Sequence, residues 1–346
     1  MKVLFHTTVA AVAALSLAAC GGGASQTRDS IRVVGSSTVF PFAKAVSESF
    51  ARSHSEFGAP IIESTGSGGG IKLFCSGVGQ DTPDIANASR RMKASEFQDC
   101  VANGVDEVVE VQIGLDGLAL ASANGGIDLT LTTELIYRAL AARPYGEEQT
   151  ATNWSDIDPS LPNKRILVYG PPSTSGTRDS FEELLLLAGC ESNPQMAALK
   201  ESNKDEFEKI CTDVRNDGAY VDQGENDNLI VQKLQSSPDA VGIFGYSYLE
   251  ENLEKLHGLS VNGVKPTYET VASLQYPGAR EMFIYVKKAH IDAIPGLRQY
   301  LEQWTTMWGE DGPLARIGLI VSPAERLAAA NEAARNLPSL TAADFE

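Results

Sequence analysis

Short apolar runs alternate with amphipathic stretches along most of this chain, and that alternation most narrows what it can fold into. Ile31–Gly35, Pro60–Ser64, Asp84–Ala88, Val108–Ile113, Arg165–Tyr169, Val241–Phe244 and Met282–Val286 read as short, mostly buried strands. Between them Pro41–Arg52, Thr133–Ala141, Thr177–Leu187, Asn228–Gln235, Leu297–Trp308 and Pro323–Ala334 carry helical spacing. A strand that is apolar on both faces must be covered on both, so this rhythm predicts an α/β fold with largely parallel sheets between helices. The length, 346 residues, suggests roughly two domains. Trp304 and Trp308 stand at i and i+4 on one expected helix and read as core. The polar stretches 153–164 and 191–208 read as surface insertions.

The first residues speak to compartment. Met1-Lys2 gives a short positive start, Val3–Ala14 is apolar but too short to span a bilayer, and Leu17-Ala18-Ala19-Cys20 follows. That pattern matches a bacterial lipobox, which predicts a lipoprotein signal peptide over residues 1–20, cleaved after Ala19 so that Cys20 is kept as the lipidated N-terminus. Gly21–Ser30 then reads as a flexible tether to a membrane face. No later apolar run approaches the ~20 residues of a membrane span. The expected setting is the periplasm of a Gram-negative bacterium.

Four cysteines remain: Cys75, Cys100, Cys190 and Cys211. None belongs to a cluster with metal-ligand spacing, so no metal is expected, and an even set in an oxidising compartment reads as disulfides. The local pairing is Cys75–Cys100 with Cys190–Cys211, although three connectivities are open on paper. The net charge of −17, from 28 basic and 45 acidic residues, argues against a nucleic-acid partner. It does not exclude a buried anion, because salt screens the long-range field within about 8–10 Å and a bound anion feels mainly local donors.

Three segments share one design, in which an apolar run enters a Ser/Thr/Gly turn that opens a helix. They are Val34-Gly35-Ser36-Ser37-Thr38-Val39-Phe40-Pro41, Ser64-Thr65-Gly66-Ser67-Gly68-Gly69-Gly70, and Pro171-Pro172-Ser173-Thr174-Ser175-Gly176-Thr177-Arg178-Asp179. A fourth, Ala88-Ser89-Arg90-Arg91, ends a strand with a hydroxyl and two guanidinium groups. The first N–H groups of a helix lack intrahelical partners and its dipole favours negative charge there. Glycine lets backbone approach closely and hydroxyls add donors. Any one of these turns is explained by ordinary N-capping. Four together, at the carboxyl ends of strands where α/β sheets bind ligands, point to an oxyanion site.

These motifs resemble the phosphate-binding proteins of bacterial phosphate ABC transporters, the PstS type. The resemblance runs from Ile31 to about Leu327 and rests on Gly35–Pro41, Gly66–Gly70, Asp84–Arg90, Asp116-Gly117-Leu118-Ala119 and Ser175–Arg178, with Val241–Tyr246 as a late strand. It implies a two-lobed fold hinged by crossover strands, which closes on a dehydrated phosphate and delivers it to an inner-membrane ABC permease. Residues 31–113 with 282–346 would form the first lobe and 114–281 the second. Carried over by motif, the phosphate ligands would be Thr38 and the Val39 N–H, with Ser37 nearby, then Ser67, Ser89, Ser175, Gly176 and Thr177. The implied protein is a monomeric receptor without cofactor or catalysis.

Two departures stand out. The best-known branch has a carboxylate where Arg90 stands, and an arginine four residues before the Ser-Gly-Thr serine, where this chain has Pro171. Arg90 and Arg178 are the candidates to restore positive charge, against the plainer reading of salt bridges. Asp116 is the candidate acceptor for a phosphate proton, with Asp84 and Asp227 as weaker choices. Rival readings are the same fold tuned to sulfate, molybdate or arsenate, an adhesion or signalling protein that keeps the fold, or a phosphoester hydrolase. The last lacks support, because no nucleophile elbow, P-loop or zinc motif occurs. His54, His257 and His290 lie in polar, surface-like contexts away from the turns. Lys287-Lys288 and Glu250-Glu251 could meet a permease or be plain solvated surface.

Overall fold

The computed structural model describes residues 28–173, 175–224 and 227–345, apart from the side chain of Asp227. The leader, Cys20 and most of the expected tether lie outside the described residues. Among the described residues there are eleven strands: β1 (Arg32–Gly35), β2 (Ile61–Ser64), β3 (Ile85–Ala88), β4 (Val108–Ala123), β5 (Thr130–Leu131), β6 (Val168–Gly170), β7 (Tyr220–Asp222), β8 (Val241–Gly245), β9 (Leu256–Gly258), β10 (Ser260–Val261) and β11 (Ala279–Lys287). Nine form one sheet in the order β2-β1-β3-β11-β4-β8-β6-β7, with β9 also on β4, while β5 and β10 pair apart. β1, β2 and β3 run parallel, as do β8, β6 and β7; β4 and β11 join these halves by antiparallel pairing. Helices cover both faces, so the protein is an α/β fold of two parallel half-sheets hinged by crossover strands.

The side chains follow the same division. One core gathers residues from Leu115 to Tyr276, and a second runs from Ile31 through Ile113 and from Met282 to Leu337. A smaller cluster around Phe74, Cys100 and Tyr285 covers the far face of β3 and β11. We refer to these as the middle lobe and the N-terminal lobe. The sixteen-residue β4 crosses from the second core into the first, and its pairing with β11 shifts register between Met282 and Phe283, opposite Gly114 and Gln112. Ile113 is thereby bulged out, which re-aims the strand where the lobes join. A third piece of chain also touches the crossing. Leu115 and Ile320 exchange backbone hydrogen bonds at 2.9 and 3.1 Å, so Leu319 packs in one core and Ile320 in the other.

Several expectations need correcting. β4 extends ten residues beyond the run that ends at Ile113, because Leu115–Ala123 is buried almost throughout and continues as an interior strand. The strand expected at Arg165–Tyr169 is shorter and later, at Val168–Gly170. The supposed surface insertions belong partly to the middle core, since Trp154, Leu161, Met196 and Phe207 are buried. The helix Pro194–Ser202 lies in the second of them, and the helix Lys204–Thr212 begins there. Disulfides join Cys75 to Cys100 and Cys190 to Cys211, the local pairing. The second pins the helix Lys204–Thr212 to the helical stretch that begins at Gly176.

His290 and Lys287 are buried rather than surface residues. His290 meets the fully buried Asp84 at 2.6 Å through Nδ1 and donates from Nε2 to the Val78 carbonyl at 2.9 Å. Arg28 forms a bidentate pair with the same carboxylate at 2.5 Å, and the Arg32 N–H donates to it at 2.7 Å. Lys287 donates to the Gly77 carbonyl at 2.5 Å and the Thr82 hydroxyl at 2.8 Å. Asp84 thus anchors the loop that follows Cys75 and lies in the interior of the N-terminal lobe, away from the Ser/Gly turns.

Candidate functional site

The four Ser/Gly turns end strands that face the junction of the lobes. The first is set by close backbone packing. Gly35 has φ +132°, and a Cβ there would sit 2.1 Å from the Asn87 carbonyl oxygen. Only glycine tolerates both conditions. Gly70 seals the same spot: its Cβ would lie 2.4 Å from Gly35 Cα, so the helix Ser67–Phe74 rests directly on the end of β1. These contacts bring Ser67 to Ser89 at the end of β3, with hydroxyls 3.1 Å apart and the Ser89 N–H donating to Ser67 Oγ at 3.1 Å. From the other lobe, Ser175 caps a helical stretch by accepting from the Thr177 N–H at 3.2 Å. That stretch continues without a break from Gly176 to Glu191.

The lobes meet at the first and third turns. Thr38 Oγ1 donates to the Gly176 carbonyl at 3.4 Å, and the Ser37 hydroxyl donates to the Asp179 carboxylate. A Cβ on Gly176 would fall 3.0 Å from Thr38 Cα and 3.1 Å from the Ser37 carbonyl oxygen. Thr38, Asp116, Ser175, Gly176 and Thr177 line a cleft of about 210 Å³, closed on its other side by Gly245, Ser247 and Gly318. Ser67, Ser89 and Arg90 line a second, wider cleft of about 640 Å³, together with Arg91, Lys93, Lys204 and Arg280. The structure therefore brings Thr38, Asp116, Ser175, Gly176 and Thr177 to one cleft and Ser67, Ser89 and Arg90 to another at the same junction, while Arg178 lines neither. Ser37 and Val39 flank Thr38, with the Val39 N–H directed 3.4 Å to Ser36 Oγ in the buried turn.

The two arginines named from sequence are occupied within the protein. Arg90 forms a bidentate pair with Glu96 at 2.6 and 2.9 Å, whose hydrogen bonds hold the guanidinium above its ordinary pKa. Its side chain still reaches 3.8 Å from where a Cβ of Gly68 would stand. Arg178 is buried, 2.7 Å from Glu182, with its guanidinium 4.9 Å from the centre of the Tyr220 ring. Burial keeps the Glu182 carboxyl above its usual range despite that partner. Asp116 Oδ2 accepts from Ser180 Oγ at 2.8 Å and from Arg280 Nε at 3.0 Å.

Arg280 was not singled out by motif. It is buried, stands in register with Asp116 across β11 and β4, and makes four contacts. Besides Asp116, its Nη2 donates to Thr38 Oγ1 and Ser180 Oγ at 2.5 Å each, and Nη1 reaches Glu183 at 2.5 Å. It therefore lies between the two clefts. Among the described residues no cluster of His, Cys, Asp and Glu could hold a metal ion, and no helix is long and apolar enough to cross a membrane.

Two lobes joined by crossing strands, with a polar junction built from strand-end turns, are the architecture of periplasmic binding proteins. A family model described as the PBP superfamily domain matches residues 22–305, and the chain belongs to that superfamily. Protein SphX of Synechococcus elongatus is 33% identical over 328 residues, covering 90% of this chain and 83% of SphX. The phosphate-binding protein PstS of Staphylococcus saprophyticus is 27% identical over 308 residues, covering 86% of this chain and 84% of that protein. Among solved structures, a possible phosphate binding protein from Planctomyces limnophilus superposes with a TM-score of 0.71 at 27% identity, over 89% of this chain and 98% of that one.

Proposed function

We propose that this protein is the receptor that captures inorganic phosphate and hands it to an ABC importer, by hinged closure of its two lobes over the dehydrated anion. The observation that carries the reading is the meeting of the first and third turns. Thr38 of one lobe lies 3.4 Å from the Gly176 carbonyl of the other, so donors from both lobes surround one small polar cleft. Neutral hydroxyls and backbone N–H groups suit a dehydrated oxyanion, because their fixed dipoles replace the hydrogen bonds of the water it sheds. The names of the relatives point to the same ligand.

In this reading the N-terminal lobe comprises residues 31–113 and 282–346 and the middle lobe 114–281. The Thr38 hydroxyl and Val39 N–H meet phosphate from one side, and Ser175, Gly176 and Thr177 from the other. Ser37, Ser67, Ser89, Arg90 and Arg178 complete the shell as the lobes rotate. With Asp116 Oδ2 already accepting from Ser180 and Arg280, the acceptor role for a phosphate proton falls to Oδ1. Such an acceptor favours phosphate over fully ionised sulfate, since a mispaired buried polar group costs about 1–3 kcal/mol. The protein acts as a monomeric, non-catalytic receptor tethered to a membrane face through lipid on Cys20, with the periplasm of a Gram-negative cell as its setting.

The test is calorimetry on purified protein stripped of bound anion, first with phosphate and then with phosphate in excess sulfate. Micromolar or tighter one-to-one binding, about −8 kcal/mol, that survives sulfate supports the reading. Displacement by sulfate, or tighter binding of molybdate or arsenate, assigns the fold to another oxyanion.

A further inference from the structure

We infer that Arg280 supplies the guanidinium of the anion site, with Asp116 as its fixed counter-ion and Glu183 as the group the anion displaces. The inference deepens the phosphate reading and rests on it.

The position comes first. Arg280 sits at the start of the crossover strand β11, paired in register with Asp116 on the crossover strand β4. Both residues therefore sit at the hinge edge of the middle lobe, where the crossover strands enter and leave it. Its side chain is 6% exposed, and its fork spans the junction, touching Thr38 of the N-terminal lobe and Ser180 of the middle lobe through the same nitrogen. It lines the wider cleft beside Ser67, Ser89 and Arg90, and through Thr38 it borders the smaller one. Of Arg90, Arg178 and Arg280, it is the one whose guanidinium hydrogen-bonds the side chain of a proposed phosphate ligand, Thr38.

Its partners differ in kind. Asp116 is held by the strand register and by Ser180, so the Nε contact belongs to the scaffold. The Glu183 side chain is 55% exposed, so its pairing with Nη1 is at the solvent edge and readily exchanged. A guanidinium offers paired N–H groups in a plane, the geometry that matches two phosphate oxygens. An anion that takes Nη1 from Glu183 and shares Nη2 with the Thr38 hydroxyl would lie between the clefts, within reach of both sets of turns.

The experiment compares wild-type protein with Arg280→Gln, Arg280→Lys and Glu183→Gln by calorimetry with phosphate at pH 6.5 and 8.0, alongside melting curves without anion. The expected result is an affinity at least a hundredfold weaker for Arg280→Gln and about tenfold weaker for Arg280→Lys, which keeps charge but loses the fork. Glu183→Gln should bind several-fold tighter, because the competing carboxylate is gone. The gain in affinity from pH 6.5 to 8.0, as phosphate loses its second proton, should shrink in Arg280→Gln. A purely structural Arg280 would lower the melting temperature and leave that pH dependence and the Glu183→Gln affinity unchanged. Phosphate affinity within threefold of wild type in folded Arg280→Gln overturns the inference. If that variant does not fold, wild-type affinity in both Arg280→Lys and Glu183→Gln overturns it instead. Wild-type protein that binds sulfate or molybdate but no phosphate overturns the ligand reading, and the same variants titrated with that anion then decide Arg280.

Discussion

Replacing Gly176 with alanine separates anion binding from folding. Gly176 opens a helical stretch after the Ser175 cap, where alanine is favoured over glycine by up to ~1 kcal/mol. The middle lobe should therefore be as stable as wild type or slightly more so. The cost falls across the junction. The new Cβ would stand 3.0 Å from Thr38 Cα, and ordinary contact begins at 3.4 Å, so the neighbours must separate by at least 3.4 − 3.0 = 0.4 Å. Thr38 Cα cannot readily give way, because its turn is fixed by the Ser36 N–H to Asn87 carbonyl bond at 2.9 Å and by the Gly35 packing. The lobes must move apart instead, and the 3.4 Å bond from Thr38 Oγ1 to Gly176 is already at its limit. Loss of one charge-assisted hydrogen bond to the anion costs about 1.5–3 kcal/mol. That corresponds to an affinity weaker by roughly tenfold to a hundredfold. Calorimetry with phosphate and melting curves without it measure the two effects. An affinity within twofold of wild type would refute the claim that this contact belongs to the bound geometry.

Two further outcomes follow from the fold. Replacing Cys190 and Cys211 by serine opens a loop with a sequence separation of 21 and should cost about 3 kcal/mol in chemical denaturation, with little change in phosphate affinity. A loss below ~1 kcal/mol would mean that the unfolded middle lobe is already confined there. Burial pushes the Lys287 ammonium down to about 8 from an ordinary 10.5, so between those values the unfolded chain holds a proton the folded chain has shed. Stability from this group therefore rises with pH across that window, while below pH 8 both states bind the proton and the cost of burial stays in full. Wild type should accordingly gain on Lys287→Met as pH is raised from 7.5 to 10, and a constant difference in melting temperature would contradict the assignment.

The parts legible in the sequence were those with local causes. Gly35, Gly66 and Gly70 with their serines announce strand–turn–helix units on their own, because close approach and capping are matters of neighbouring residues. The helix through Trp304 and Trp308 shows its buried face by spacing alone, and both side chains are buried. What was not legible depended on register and on long-range pairing. Arg280 lies just outside the apolar run beginning at Met282, and only the register of β11 on β4 sets it opposite Asp116. His290 and Lys287 look like surface residues until Asp84, Gly77, Val78 and Thr82 are folded around them. Phe207 and Met196 are likewise sparse apolar residues in polar helices, too few to mark a core face, yet both are buried in the middle lobe.

The most direct test is a crystal structure of the protein grown with phosphate. The account predicts one phosphate at the junction, within hydrogen-bond distance of the Thr38 hydroxyl, of the backbone N–H groups at Gly176 and Thr177, and of Arg280 displaced from Glu183. A phosphate bound elsewhere, or a junction unchanged and free of anion in crystals from phosphate-saturated protein, would contradict it.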